Sequence, residues 1–162
     1  MNQEKLYLDQ KGYQDYLDEI EKWKEQLNHN STKRAKSYQD AVGDGWHDNF
    51  DFEVSIREEY KILGMLDKLQ KELEKIVIIK PITNEEQIGI NQYVTVRLLF
   101  MDEAEELGFK LVASFNPKED EISINSPMGR AIYEKKVGDK VSYQVLDKVY
   151  FVTILSKSDF KE

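Results

Sequence analysis

Residues 41–53 read AVGDGWHDNFDFE and gather Asp44, Asp48 and Asp51 with Trp46, His47, Asn49 and two glycines. Carboxylate oxygens at this spacing suit a hard cation such as Mg²⁺, which keeps several waters and is commonly shared with a substrate phosphate. Two or three exposed carboxylates are too few to hold the ion tightly alone. They suffice to complete a site that belongs to a partner, as ligands for the second metal of a two-metal phosphoryl reaction. Gly43 and Gly45 can take the positive-φ conformations that end a helix and reverse the chain. Asp48 stands where the N-cap of a following helix is expected, and capping alone would account for it. His47 reads either as a further ligand or as a polar turn residue. Trp46 has little structural reason to sit on an exposed turn, so contact with a partner or a base is the favoured reading.

The flanking segments must project this turn. From Gly12 to about Val42 the apolar residues recur in steps of three and four (Tyr13, Tyr16, Leu17, Ile20, Trp23, Leu27), which is helical spacing. Asp9 is the expected N-cap, and the polar run NHNSTK (28–33) contains no proline or glycine to stop the helix. The pattern resumes at Phe52, Ile56, Leu63, Leu66, Leu69, Leu73 and Ile76. Two helices of roughly 30 residues, each about 45 Å long, therefore face each other across the turn as an antiparallel coiled coil. A plain dimerisation or spacer arm is the alternative.

The second half changes period. At IVIIKPITNEEQIGIN the β-branched residues and Pro81 end the helix and begin a linker. Strand-like runs follow at 92–100, 109–114, 121–125, 140–146 and 149–156, separated by acidic or turn-rich stretches such as MDEAEELG. SPMGRAIYEKK (126–136) reads as a short helix capped by Ser126 with Pro127 in its first turn. The expected fold is α+β: residues 1–79 a helical hairpin with its acidic tip at 43–51, and residues 80–162 a small domain with an antiparallel sheet and one helix.

Composition narrows the function. The 162 residues carry a formal net charge of -8, and 11% are aromatic, too many for a disordered acidic chain. Without cysteine there is no disulfide or thiolate chemistry, and a metal would need oxygen or imidazole ligands. The acidic balance argues against a protein that coats duplex DNA by itself, because that binding depends on lysine and arginine displacing counterions. A local basic face can still touch nucleic acid once another protein positions it. The first residues lack a signal-peptide core and no later run is long enough to cross a bilayer, so a cytoplasmic protein with no membrane partner is expected.

Three stretches, in order along nearly the whole chain, carry a family resemblance. GYQDYLDEIEKWK looks like the opening of a first helix, GDGWHDNFDFE is similar to a Gly-Asp-Leu-x-Glu-Asn-x-Glu-Tyr tip, and ISINSPMGRAIYEKKVGDKV resembles a Ser-Pro-(Ile/Met)-(Ala/Gly)-Arg-Ala-(Leu/Ile)-x-x-Lys-x-x-Gly-Asp signature. Together they resemble the bacterial Gre family of transcript cleavage factors, GreA and GreB, and the third stretch is the most specific.

The resemblance implies a coiled coil that enters the secondary channel of RNA polymerase and an FKBP-like domain that docks at the channel rim. Tip acids of the family help hold a second Mg²⁺, so that the polymerase's own active site cuts backtracked RNA near its 3′ end. By position these acids fall on Asp44 and Asp48, followed by Asn49, with the next on Asp51 and the following aromatic on Phe52. The basic residues Lys33, Arg34 and Lys36 match in kind the family's patch that meets extruded RNA, and equally read as a helix face pairing with acids of the other helix. Ser126, Pro127 and Arg130 lie in the domain expected at the rim. Such a protein is an accessory factor and no enzyme alone, holds no cofactor of its own beyond the shared Mg²⁺, and is expected to be a monomer. The tip departs from the family pattern by one extra residue in Gly45-Trp46-His47 and by aspartate for glutamate at 48. That departure admits a channel inhibitor as the second reading. An FKBP-like fold also invites a prolyl isomerase reading, but fold does not carry function.

Overall fold

Asp9 opens the first long helix. Its Oδ1 accepts the Gly12 backbone N–H at 2.6 Å, satisfying one of the donors that a helix start leaves unpaired, and α1 runs from there as Gln10–Asp40. The helix continues unbroken through the polar run 28–33, where Thr32 Oγ1 donates back to the Asn28 carbonyl at 2.9 Å. The second helix, α2, is Phe50–Leu73. The computed structural model describes residues 5–40, 50–101 and 103–159. The acidic stretch 41–49 is thus outside the described residues.

The chain divides into two units: Gln14–Ile76, and Lys5–Tyr13 together with Val77 onward. In the first, α1 and α2 lie antiparallel. The Tyr16 hydroxyl donates to the Leu69 carbonyl at 2.8 Å, and Asn30 Nδ2 donates to the Ser55 carbonyl at 2.7 Å. Both steps span 14 residues, in opposite directions along the two helices, so the contacts belong to one register.

The second unit is built on a five-stranded sheet in the order β5-β4-β3-β7-β6. Its strands are β3 Tyr93–Phe100, β4 Glu103–Val112, β5 Glu121–Ser123, β6 Lys140–Val145 and β7 Lys148–Ser158. All neighbours are antiparallel except β4 and β5, which pair in parallel over Lys110–Val112. Val94, Val96, Phe109, Leu111, Val152 and Ile154 face inward and pack around Ile132 of the short helix α3, Pro127–Ile132. Two further strands, β1 Leu6–Leu8 and β2 Ile76–Ile78, form a separate pair.

Two segments differ from the sequence-based expectation. MDEAEELG, read as a separator, instead begins β4, and Arg97 reaches across the hairpin to Glu106 at 2.6 Å. The acids on β4 occupy the part of the strand that β5 does not cover, where charge discourages pairing with another chain. The second segment, expected as a linker after the helix, supplies β2 and then buries Ile88 and Ile90 in the core of the second unit. The backbone fixes it there: Ile88 N–H donates to Lys135 O at 2.7 Å and Glu134 N–H to Ile88 O at 3.0 Å.

Candidate functional site

The hairpin seam changes character along its length. At one end it is apolar, with Tyr16, Ile20, Ile62, Leu66 and Leu69 buried. Burial raises the Tyr16 phenol well above its ordinary range, and the Glu72 carboxylate 3.3 Å from the hydroxyl adds to the shift. Toward the acidic stretch the buried residues become Asn30 and Ser55. Arg34 forms an ion pair with Glu59 of the facing helix.

Of the expected tip residues, Asp44, Trp46, His47, Asp48 and Asn49 lie outside the described residues, and Asp51 is in the first turn of α2. The basic residues do not act alike. Arg34 is half-buried and spends its charge on Glu59, whereas Lys33 and Lys36 are exposed. Lys33 also lines a groove of about 560 Å³ on the hairpin, together with Lys22, Trp23, His29 and Lys61. Lys22, Lys61 and Trp23 were not singled out as binding residues from sequence. Their common face appears only when α2 is laid against α1. The groove carries three lysines against Glu25 and Glu58, so its charge is mixed with a slight basic excess.

In the second unit the motif around Ser126 is mostly explained by folding. Ser126 Oγ accepts the Gly129 N–H at 3.0 Å and donates to the Ser123 carbonyl at 2.7 Å, capping α3, and Pro127 occupies its first position. A Cβ on Gly129 would lie 2.1 Å from the Ser123 carbonyl oxygen, so only glycine permits this approach of helix to strand. Asn125 holds β1 by two bonds, accepting from Tyr7 N–H and donating to Tyr7 O, each at 2.8 Å. Asp139 closes the following turn by accepting the Lys136 N–H at 2.8 Å. Arg130 is exposed and lines a cavity of about 340 Å³ with Tyr7, Ile79, Ile124, Tyr133 and Glu134.

Among the described residues no three His, Asp or Glu side chains come together as metal ligands. By residue type Asp44, Asp48 and Asp51 are all oxygen donors, a chemistry that fits Mg²⁺ as a shared ion. No helix of the described residues is long and apolar enough to cross a membrane.

Comparison with known proteins agrees with these features. The family described as "Transcription elongation factor, GreA/GreB, C-term" matches residues 83–158. Transcription elongation factor GreA of Thermosipho africanus is 28% identical over 96% of this chain and 97% of its own length. GreA of Alkaliphilus oremlandii is 33% identical, covering 67% of this chain and 69% of that protein. Among solved structures, GreA factor homolog 1 (Gfh1) of Thermus thermophilus is 21% identical, covering 95% of this chain and 99% of that one, with a TM-score of 0.41. At that score the assignment stands on the sequence matches alone, and by them the chain belongs to the GreA/GreB family of transcription elongation factors.

Proposed function

We propose that this elongation factor binds RNA polymerase, inserts its hairpin into the secondary channel and stimulates cleavage of backtracked RNA by the polymerase active site. The observation that carries the reading is the antiparallel hairpin whose helices, in one register, are joined by an acid-rich segment. Asp44 and Asp48, with Asp51, would supply oxygen ligands to a Mg²⁺ held jointly with the polymerase, where the ion polarises water and phosphate. Lys33 and Lys36, exposed on α1, would contact phosphates of the extruded RNA 3′ segment. The second unit, of FKBP-like type, would dock at the channel rim through the surface around Ser126, Pro127 and Arg130. The protein then has no nuclease activity alone and works as a monomer in the cytoplasm, wherever polymerase stalls.

A second reading is favoured by one specific feature. Gly45-Trp46-His47 places one more residue between the tip acids than the family pattern has, so the hairpin could occupy the channel and inhibit. Transcript shortening in backtracked elongation complexes, measured with and without the protein at fixed Mg²⁺, separates the two. Shortening supports the first reading; slowed nucleotide addition without shortening supports the second.

A further inference from the structure

The seam positions on α1 continue in the order Tyr16, Ile20, Trp23, Leu27, Asn30, Arg34, and on α2 in the order Ser55, Glu59, Ile62, Leu66, Leu69, Leu73. Both follow the alternating three-four step of a helix-pairing seam. Of these positions, the two on each helix toward the acidic stretch are polar and form one layer; the next step on α2 in that direction is the apolar Phe52. Asn30, 4% exposed, donates to the Ser55 carbonyl, and Ser55 Oγ donates to the Phe52 carbonyl at 3.0 Å. Arg34 and Glu59 lie on either side of this level along the helices. Because helical side chains lean toward their own N-termini, in an antiparallel pair the two reach back toward Asn30 and Ser55 and meet.

This layer is poorly built for stability. Asn30 Oδ1 is buried without a hydrogen-bond partner, a loss that a leucine at the same place would not incur. Apolar contacts are non-directional and tolerate sliding, whereas an amide aimed at one carbonyl does not. Buried polar groups at seam positions are best known for fixing register at the expense of stability.

We propose that Asn30, clipped by the Arg34–Glu59 pair, is a positioning residue that fixes the axial register of α1 against α2 at the end nearest the acidic stretch. The register claim stands on the hairpin alone; its consequence for transcript cleavage rests on the function proposed above.

The absence of cysteine allows spin labels to be placed at will. Labels at Ala35→Cys and Arg57→Cys, exposed and offset along the hairpin, report sliding as a change in distance. With Asn30 present, electron–electron double resonance should give one narrow distance distribution. Asn30→Leu should melt at or above the wild-type temperature yet broaden or shift that distribution, and Asn30→Ser, which cannot reach the Ser55 carbonyl, should do the same to the distances. A narrow distribution at the wild-type distance in both variants overturns the proposal. So does a leucine variant that melts lower while its distances stay unchanged. In backtracked complexes the unlabelled Asn30→Leu protein should lose cleavage stimulation roughly tenfold or more, since misplacement by about 1 Å suffices for such losses. If wild-type protein gives no cleavage, the functional reading fails and the spin-label result still decides the register claim.

Discussion

Tyr16 shows how much a single side chain contributes to the hairpin. Its hydroxyl is buried and committed to the Leu69 carbonyl, so Tyr16→Phe should destabilise the protein by about 1 kcal/mol in urea melts. The pH dependence has a definite sign. Folding holds the phenol pKa above its ordinary value of about 10, so the unfolded chain ionises first. The stability associated with Tyr16 is whole below about pH 10 and is lost as pH rises above it. The wild-type advantage over Tyr16→Phe should be constant from pH 7 to 9 and shrink at higher pH; a constant difference up to pH 11 would contradict this. Residue chemistry of this local kind was legible beforehand where it depends on near neighbours in sequence. Asp9 and Ser126 were expected as caps and are caps. Asn30 was passed over within a polar run, because its burial depends on Ser55, 25 residues away.

At the scale of elements, the stretch that best identifies the family is also the one most constrained by packing. Gly129→Ala would drive a methyl group into the Ser123 carbonyl and should destabilise the second unit by at least about 2 kcal/mol. Ser126→Ala, which removes the cap of α3, should remove about 1 kcal/mol. Both are read from the same denaturant melts, and equal effects would mean that the helix–strand approach is looser than described. The strand runs were placed from their β-branched and aromatic alternation to within a few residues at most ends, except at the start of β4. There the acids concealed a strand because most of β4, from Glu103 to Phe109, is an edge that β5 leaves uncovered, where charged side chains are favoured. The burial of Ile88 and Ile90 was equally hidden, since two isoleucines in a polar loop carry no periodicity. Lys136 illustrates an effect outside any pattern. Its bond and charge hold the Glu86 carboxylate below the usual range and raise its own ammonium pKa. This exposed clip is complete between those two limits and is lost toward strong acid or strong base.

At the scale of the whole chain, the α+β organisation and the division into hairpin and sheet were legible because the apolar period changes from helical to alternating near Ile76. The candidate site was less legible. Asp44 and Asp48 were named from type and spacing and lie outside the described residues, and the groove of Lys22, Trp23, Lys33 and Lys61 exists only once the helices pair. If that groove meets nucleic acid, Lys33→Ala with Lys61→Ala should weaken RNA crosslinking in stalled complexes without lowering the melting temperature measurably. The most direct test of the central claim is transcript cleavage in backtracked complexes at saturating protein and Mg²⁺, comparing wild type with the Asp44→Ala, Asp48→Ala double variant. The account predicts that wild type shortens the RNA and that the double variant binds polymerase equally well but leaves the RNA intact. A wild-type protein that binds without shortening the transcript, or a double variant that cleaves as well as wild type, would contradict it.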